Sequence, residues 1–190
     1  HKLPYDTERD LVPITITASV PLVLVVANNL PVKSVKELID LAKAKPDALT
    51  FASSGTGTSP HLTAELFKLA TGARITHIAY KGSTQAHPDL ISGQVNMMFD
   101  TIVATTQLIK AGRLRPLGVT SKSRSAEFPE VPAIAETVPG YESSSWGVLL
   151  APAKVPSPII AKLNQETVRA LRQPEVKEQF ALQGLAPTAS

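Results

Sequence analysis

Residues 51–64 read Phe51-Ala52-Ser53-Ser54-Gly55-Thr56-Gly57-Thr58-Ser59-Pro60-His61-Leu62-Thr63-Ala64. An apolar run that includes Leu49 and Phe51 stops at Ser53, and Pro60 opens an amphipathic segment. The pattern predicts a strand, a polar glycine-containing loop and a helix. Proline suits a first helical position, where its missing N–H would go unpaired anyway. Ser59 then stands at the N-cap, its hydroxyl placed to accept from first-turn amides. Gly55 and Gly57 let the chain turn tightly and bare its N–H groups. Hydroxyls, free amides and the positive end of a helix dipole converge here, which makes a seat for a carboxylate or phosphate. The alternative is a plain capping loop, since many strand-to-helix loops contain Gly and Ser.

Upstream, Ile14–Thr17 and Leu22–Val26 are strongly β, and Pro21 between them predicts two strand pieces with a bend at residues 19–21. Ser34 and Glu37 form a capping box ahead of an apolar face made by Val35, Leu38, Ile39 and Ala42. In the helix after the quoted loop, Leu62, Leu66, Phe67 and Leu69 are expected on one apolar side. Residues 75–80 read as a strand, and Lys81-Gly82-Ser83-Thr84 as a second polar loop into a helix that contains Pro88 and ends at Gly93. Residues 95–99 form a buried strand, with Asp100 or Thr101 capping the next helix; residues 114–119 form another strand.

From residue 21 to 119 strands and helices thus alternate, which argues a mostly parallel sheet with helices on both faces. Right-handed crossovers gather every strand-to-helix loop on one edge, where ligands bind in open α/β sheets. That edge collects residues 53–59, 82–84 and 100–101. After residue 119 the chain turns polar and proline-rich, then gives a strand at 145–151, a helix from Pro158 with Ile159, Leu163, Val168 and Leu171 apolar, and a last helix ending at Gly184. The expected division is a complete α/β lobe over 21–118 and a partial lobe from 1–20 and 119–190, with hinge strands near 19 and 119.

The 190 residues suffice for one large domain or two small lobes, and 43% hydrophobic with 18% charged residues is a globular composition. The net charge of +3 is spread without a basic run, which argues against a nucleic-acid partner. No cysteine is present, so thiol chemistry and cysteine zinc sites are excluded. The sequence starts at His1 and not Met, which reads as a processed or trimmed chain.

His61 is the first candidate for acid–base work. No carboxylate or nucleophile is spaced with it as in a known triad, and a support role on the first helical turn is the alternative. The four histidines, at 1, 61, 77 and 87, show no metal-binding spacing, and no cofactor motif is complete. Asp100 either caps the helix after it or accepts from a ligand amine or hydroxyl. Trp146 reads as core, with a pocket wall as the alternative. Lys81 could neutralise a ligand carboxylate or point to water.

LPYD near the start, SSGTGTSPHLTAELF, HIAYKGSTQAHPDLISGQVNMMFD, IKAGRLRPLGVTS, FPEVPAIAE, GYESSSWGVLLAP and the helix after Pro158 together resemble the Bug family, the TctC-type periplasmic solute-binding proteins of tripartite tricarboxylate transporters. The resemblance implies a type II periplasmic-binding fold of two lobes and a function without covalent chemistry. A small carboxylate (a di- or tricarboxylate, an amino acid or an aromatic acid) would be held and passed to membrane transporter subunits. Carried onto matching positions, it points to Ser54, Gly55, Thr56, Gly57, Thr58 and Ser59, then Gly82 and Ser83, then Asp100. Family members carry a region before LPYD that supplies the first strands of lobe one. Its absence here leads us to expect exposed apolar faces at residues 11–18 and 147–150, met by a dimer or a partner fragment. Two other readings are an α/β enzyme using His61 and Asp100, and the effector-binding domain of a regulator.

Overall fold

The computed structural model describes residues 3–182 and 185–188, so the helix end expected at Gly184 lies outside the described residues. Its contacts divide the chain into two units, one of residues 21–145 and one of the residues up to 20 with those from 146 on.

In the larger unit β1 (Leu11–Ala27) enters at Pro21 and is followed by α2 (Val35–Ala44), β2 (Thr50–Ser53), α3 (Ser59–Thr71), β3 (Thr76–Ala79), α4 (Ser83–Ser92), β4 (Met97–Thr101), α5 (Ile102–Lys110) and β5 (Leu114–Val119). The strand order is β3-β2-β4-β1-β5. β2 is parallel to β3 and β4, whereas β1 is antiparallel to β4 and β5. Four of the five strands therefore point one way, and β1 runs against them.

Successive residues of β1, β2 and β4 fall into opposite cores, as the period-2 geometry of a strand requires. Leu24, Val26, Phe51, Met97 and Phe99 pack with Val35, Leu38 and Ala42 of α2 and Ala64 and Phe67 of α3. Val23, Val25, Ala52 and Met98 pack with Ala86 and Leu90 of α4 and Ile102 of α5. α2 is capped as its sequence demands: Ser34 Oγ accepts from Glu37 N, and Glu37 Oε2 accepts from Lys33 N.

Several details depart from expectation. β1 is one extended strand, not two with a bend; Pro21 falls where pairing with β4 and β5 begins, so its missing N–H breaks no ladder. On α3 the buried face is Pro60, Thr63, Ala64 and Phe67, while Leu62, Leu66 and Leu69 are exposed, Leu69 at 83%. Phe67, expected on the apolar side, is buried there, and the three leucines lie away from it. As expected, α4 contains Pro88 and ends at Gly93; the proline stands beyond the first turn, where it removes one helical hydrogen bond.

Residues 119–145, expected in the partial lobe, pack with the larger unit. Phe128, Val131 and Ala133 enter one core; Ile134, Val138 and Tyr141 enter the other. Tyr141 Oη donates to Thr63 O at 2.9 Å, and Arg124 pairs with Glu136, whose Oε1 also accepts from Ala133 N. The polar, proline-rich texture masked these six scattered apolar anchors. The chain accordingly passes between units at residues 20–21 and 145–146, not at 118–119.

In the smaller unit α1 (Thr7–Asp10) is capped by Asp6 and leads into β1. The first half of β1 lies antiparallel to β7 (Ala186–Pro187), and Thr17 Oγ1 donates to Gly147 O of β6 (Ser144–Pro152). Asn164 of α6 (Ser157–Leu171) donates to Ile14 O, and α7 (Pro174–Leu182) follows. Ile16, Leu149 and Leu150 are between 37% and 39% exposed, and Leu171 is the buried residue of α6, with Ile159 and Leu163 open. Trp146 is 63% exposed, against the expectation of core packing. Among the described residues no helix is long and apolar enough to cross a membrane.

Candidate functional site

The strand order determines where the strand-to-helix loops lie. β3 lies on one side of β2 and β4 on the other, so the crossover through α3 and the crossover through α4 run in opposite directions. Right-handed connection then puts α3 and α4 on opposite faces, as the two cores show. The loops leaving the carboxyl ends of β2 and β4 diverge to opposite faces and leave a crevice between them. Residues 54–59 flank it from β2, and Asp100 and Thr101 flank it from β4.

The β2 loop is tied down from within. Ser53, fully buried, accepts from Gly55 N at 3.2 Å and lies 2.7 Å from His77 Nε2 of β3. Thr58 Oγ1 donates to Gly55 O at 2.7 Å, and Ser54 Oγ donates to Thr58 Oγ1 at 3.2 Å. Gly55 has φ +137°, and a Cβ there would lie 3.5 Å from Tyr80 O. Only glycine lets this backbone lie against the end of β3 at that dihedral. Gly57 N donates to His61 Nδ1 at 3.2 Å, and the His61 and His77 rings lie 4.2 Å apart. His61 thus braces the loop from the first turn of α3.

The helix begins one residue earlier than its proline suggested. Thr58 is the N-cap, with extended backbone and no side-chain cap, and its carbonyl accepts from Leu62 N; Ser59 and Pro60 are inside the first turn. Thr58 Oγ1 donates to Gly55 O, accepts from Ser54 Oγ and makes no bond to the first-turn amides, which it leaves open. Among the described residues the amides and hydroxyls of Thr56 and Ser59 have no hydrogen-bond partner.

Gly82 caps α4 at φ +132°, and Ser83 follows as its first residue. Ser83 Oγ donates to Asp100 Oδ1 at 3.0 Å; Thr101 N donates to the same oxygen at 2.8 Å, and His87 Nε2 lies 2.9 Å from Oδ2. Asp100 is 2% exposed, buried among these partners. It does not cap α5; Thr101 does, accepting from Ala104 N. Lys81 is exposed.

All nine residues singled out from the sequence therefore lie at the carboxyl edge of β2, β3 and β4, and they divide by role. Ser54, Thr58, Ser83 and Asp100 spend their polar atoms on the scaffold, and the first-turn amides with Thr56 and Ser59 face outward. Ser53, His77 and His87 were missed. The spacing Ser83-x-x-x-His87 was the available signal, since residues four apart share a helix face. Ser53 and His77 meet only through parallel pairing of β2 and β3, which sequence does not reveal.

Burial holds the His77 imidazole below its ordinary pKa; the neighbouring His61 and Lys68 lower it further, and Glu65 acts in the opposite sense. No group of three or more His, Asp or Glu side chains that could hold a metal occurs among the described residues. A separate cavity of about 360 Å³, lined by Lys36, Asp40, Lys43, Thr71 and Val138, lies at the far end of α3, roughly 20 Å along the helix from the loop.

The model of a family described as tripartite tricarboxylate transporter family receptor (TctC) matches residues 1–190. Protein BugT of Bordetella pertussis is 40% identical over 186 residues, covering 97% of this chain and 57% of that protein. A protein encoded in the tcbD–tcbE intergenic region of Pseudomonas sp. strain P51 is 38% identical over 186 residues, covering 97% of this chain and 55% of its own. The chain thus spans a little over half the length of these relatives. Among solved structures, R. palustris Rpa4515 with adipate superposes with TM-score 0.87 at 37% identity, over all of this chain and 64% of that one. MatC of Rhodopseudomonas palustris, with bound malate, gives 0.82 at 28% identity, over 97% and 63%.

Proposed function

The chain belongs to the TctC family of tripartite tricarboxylate transporter receptors, and on that premise we propose that it binds a small carboxylate reversibly at the crevice between β2 and β4 and serves a transporter of that type. The observation that carries this reading is the set of open amides and hydroxyls at Thr56 and Ser59, at the same carboxyl edge of the sheet as the N-terminal turns of α4 and α5. A carboxylate accepts but cannot donate, and helix N-terminal amides supply donors with the dipole aligned. In the proposed complex Ser54, Gly55, Gly57 and Thr58 shape the β2 loop, Thr56 and Ser59 grip the acid, and Gly82 and Ser83 close the side opposite.

In this reading the crevice binds its ligand without catalysis. Asp100 stands between Ser83 and His87, so the serine proton goes to a carboxylate and never to an imidazole. A nucleophilic serine needs the base beside it. His61 spends Nδ1 on Gly57. The proposed role is that of a binding protein working in the periplasm with membrane subunits. The open apolar positions Ile16, Leu149 and Leu150 support completion of the smaller unit by a second copy or a partner segment. A chain that light scattering finds monomeric at all concentrations opposes that last point.

The test is a thermal-shift and calorimetric screen of dicarboxylates, amino acids and aromatic acids beside a turnover assay on esters and phosphates. Saturable stabilisation without turnover is expected. Turnover abolished by His61→Ala would replace this reading with an enzymatic one.

A further inference from the structure

Resting on the carboxylate-binding reading above, we propose that Ser83 meets the ligand as a hydrogen-bond acceptor, and that the acids taken are those carrying a donor, a hydroxyl or an ammonium group, beside the carboxylate. A serine hydroxyl has one proton and two lone pairs. Here the proton goes to Asp100 Oδ1 at 3.0 Å. Asp100 is 2% exposed, and its carboxylate is held from two other directions by Thr101 N and His87 Nε2. Turning the Ser83 proton outward would remove a bond from a buried acceptor, a costly exchange for a hydroxyl that gains one in return. The lone pairs of Ser83 are what remain for the ligand. They repel a carboxylate oxygen and attract an O–H or N–H.

His87 and Asp100 are the positioning residues of this arrangement. Ser83 and His87 lie on one face of α4, four residues apart, and both reach the same carboxylate. His87 fixes the far oxygen, so the near one faces Ser83. The crevice then reads its ligand in two parts: the β2 loop donates to a carboxylate, and Ser83 accepts from its neighbour. Asp100, expected as a ligand contact, sets the polarity of Ser83 and leaves the contact to it.

The experiment is calorimetry or amide-shift titration of the full chain with malate and with succinate, which differ by one hydroxyl, extended to dissociation constants above about 1 mM. Malate is expected to bind about tenfold more tightly than succinate. Ser83→Ala should erase the malate-to-succinate difference, and Ser83→Thr should restore it. His87→Leu should narrow the ratio, and His87→Gln, which keeps an N–H for Asp100, should hold it. Equal affinity of the unaltered protein for the two acids, or a ratio that survives Ser83→Ala, overturns this inference and leaves carboxylate binding standing. Binding of neither acid, nor of any other small carboxylate, overturns the function and this inference with it.

Discussion

Gly57 donates its amide hydrogen to Nδ1 of His61 at 3.2 Å, across the junction between the β2 loop and the helix it feeds. This bond gives the histidine a structural task. His61→Leu is expected to leave the fold intact and to cost about 1 kcal/mol of loop stability. Hydrogen exchange at Gly57 would speed up accordingly, and exchange in β2 and β4 would not change. Unaltered protection at Gly57 would remove the brace from the account.

His77 makes stability depend on pH. Its folded-state pKa is depressed, chiefly by burial, with His61 and Lys68 adding to it. The unfolded chain takes the proton more readily than the native one, so this contribution is complete above the unfolded pKa of about 6.5 and is lost as pH falls below it. The midpoint of thermal unfolding should drop between about pH 7.5 and pH 5, and His77→Gln should flatten that part of the curve. An identical slope in the variant would place the titrating group elsewhere.

Gly55 and Gly57 both have positive φ, at +137° and +83°, but only the first is far from the left-handed well that other residues tolerate. Gly55→Ala should therefore destabilise by about 1–3 kcal/mol and Gly57→Ala by less. Urea denaturation of the two variants orders them; a reversed order contradicts the loop geometry described.

A Cβ at Gly118 of β5 would approach Ile134 Cγ1 to 2.8 Å and Val35 Cγ2 to 3.0 Å. Gly118→Ala is expected to cost about 1–3 kcal/mol through overpacking. The cost should fall when Ile134→Ala is added, since that change removes Cγ1 itself. Simple additivity of the two changes would argue that residues 134–138 do not press on the sheet as found.

The alternation of strands and helices was legible because each element carries its own period and its own punctuation, as in Ser34 with Glu37 or Gly72 and Gly93 at helix ends. The carboxyl-edge placement of residues 54–59, 82–83 and 100 followed from chain order and handedness alone. What stayed hidden depends on spatial pairing. The docking of Phe128, Ile134 and Tyr141 is spread thinly through a polar stretch. The outward leucines of α3 carry the right period for a core face, yet Pro60, Thr63, Ala64 and Phe67 took that place. The N-cap was misplaced by one residue because Pro fits the second helical position as well as the first. Spacing could tie His87 to Ser83, but its bond to Asp100 depends on α4 lying against β4.

The hydroxyls divide into those bound inward, at Ser54, Thr58 and Ser83, and those left open, at Thr56 and Ser59. Thr56→Val with Ser59→Ala should weaken carboxylate binding at least about tenfold with little change in unfolding midpoint. Ser54→Ala should act mainly on stability. Affinity unchanged in the double variant would show that the acid sits elsewhere.

The most direct measurement is amide-resolved titration of the chain with a small dicarboxylate. Saturable shifts are predicted at Thr56, Ser59 and Ser83 and in the first turn of α5, all with one dissociation constant. Shifts confined to the basic cavity at Lys36, Lys43 and Thr71, or none along the edge of β2 and β4, would contradict the assignment.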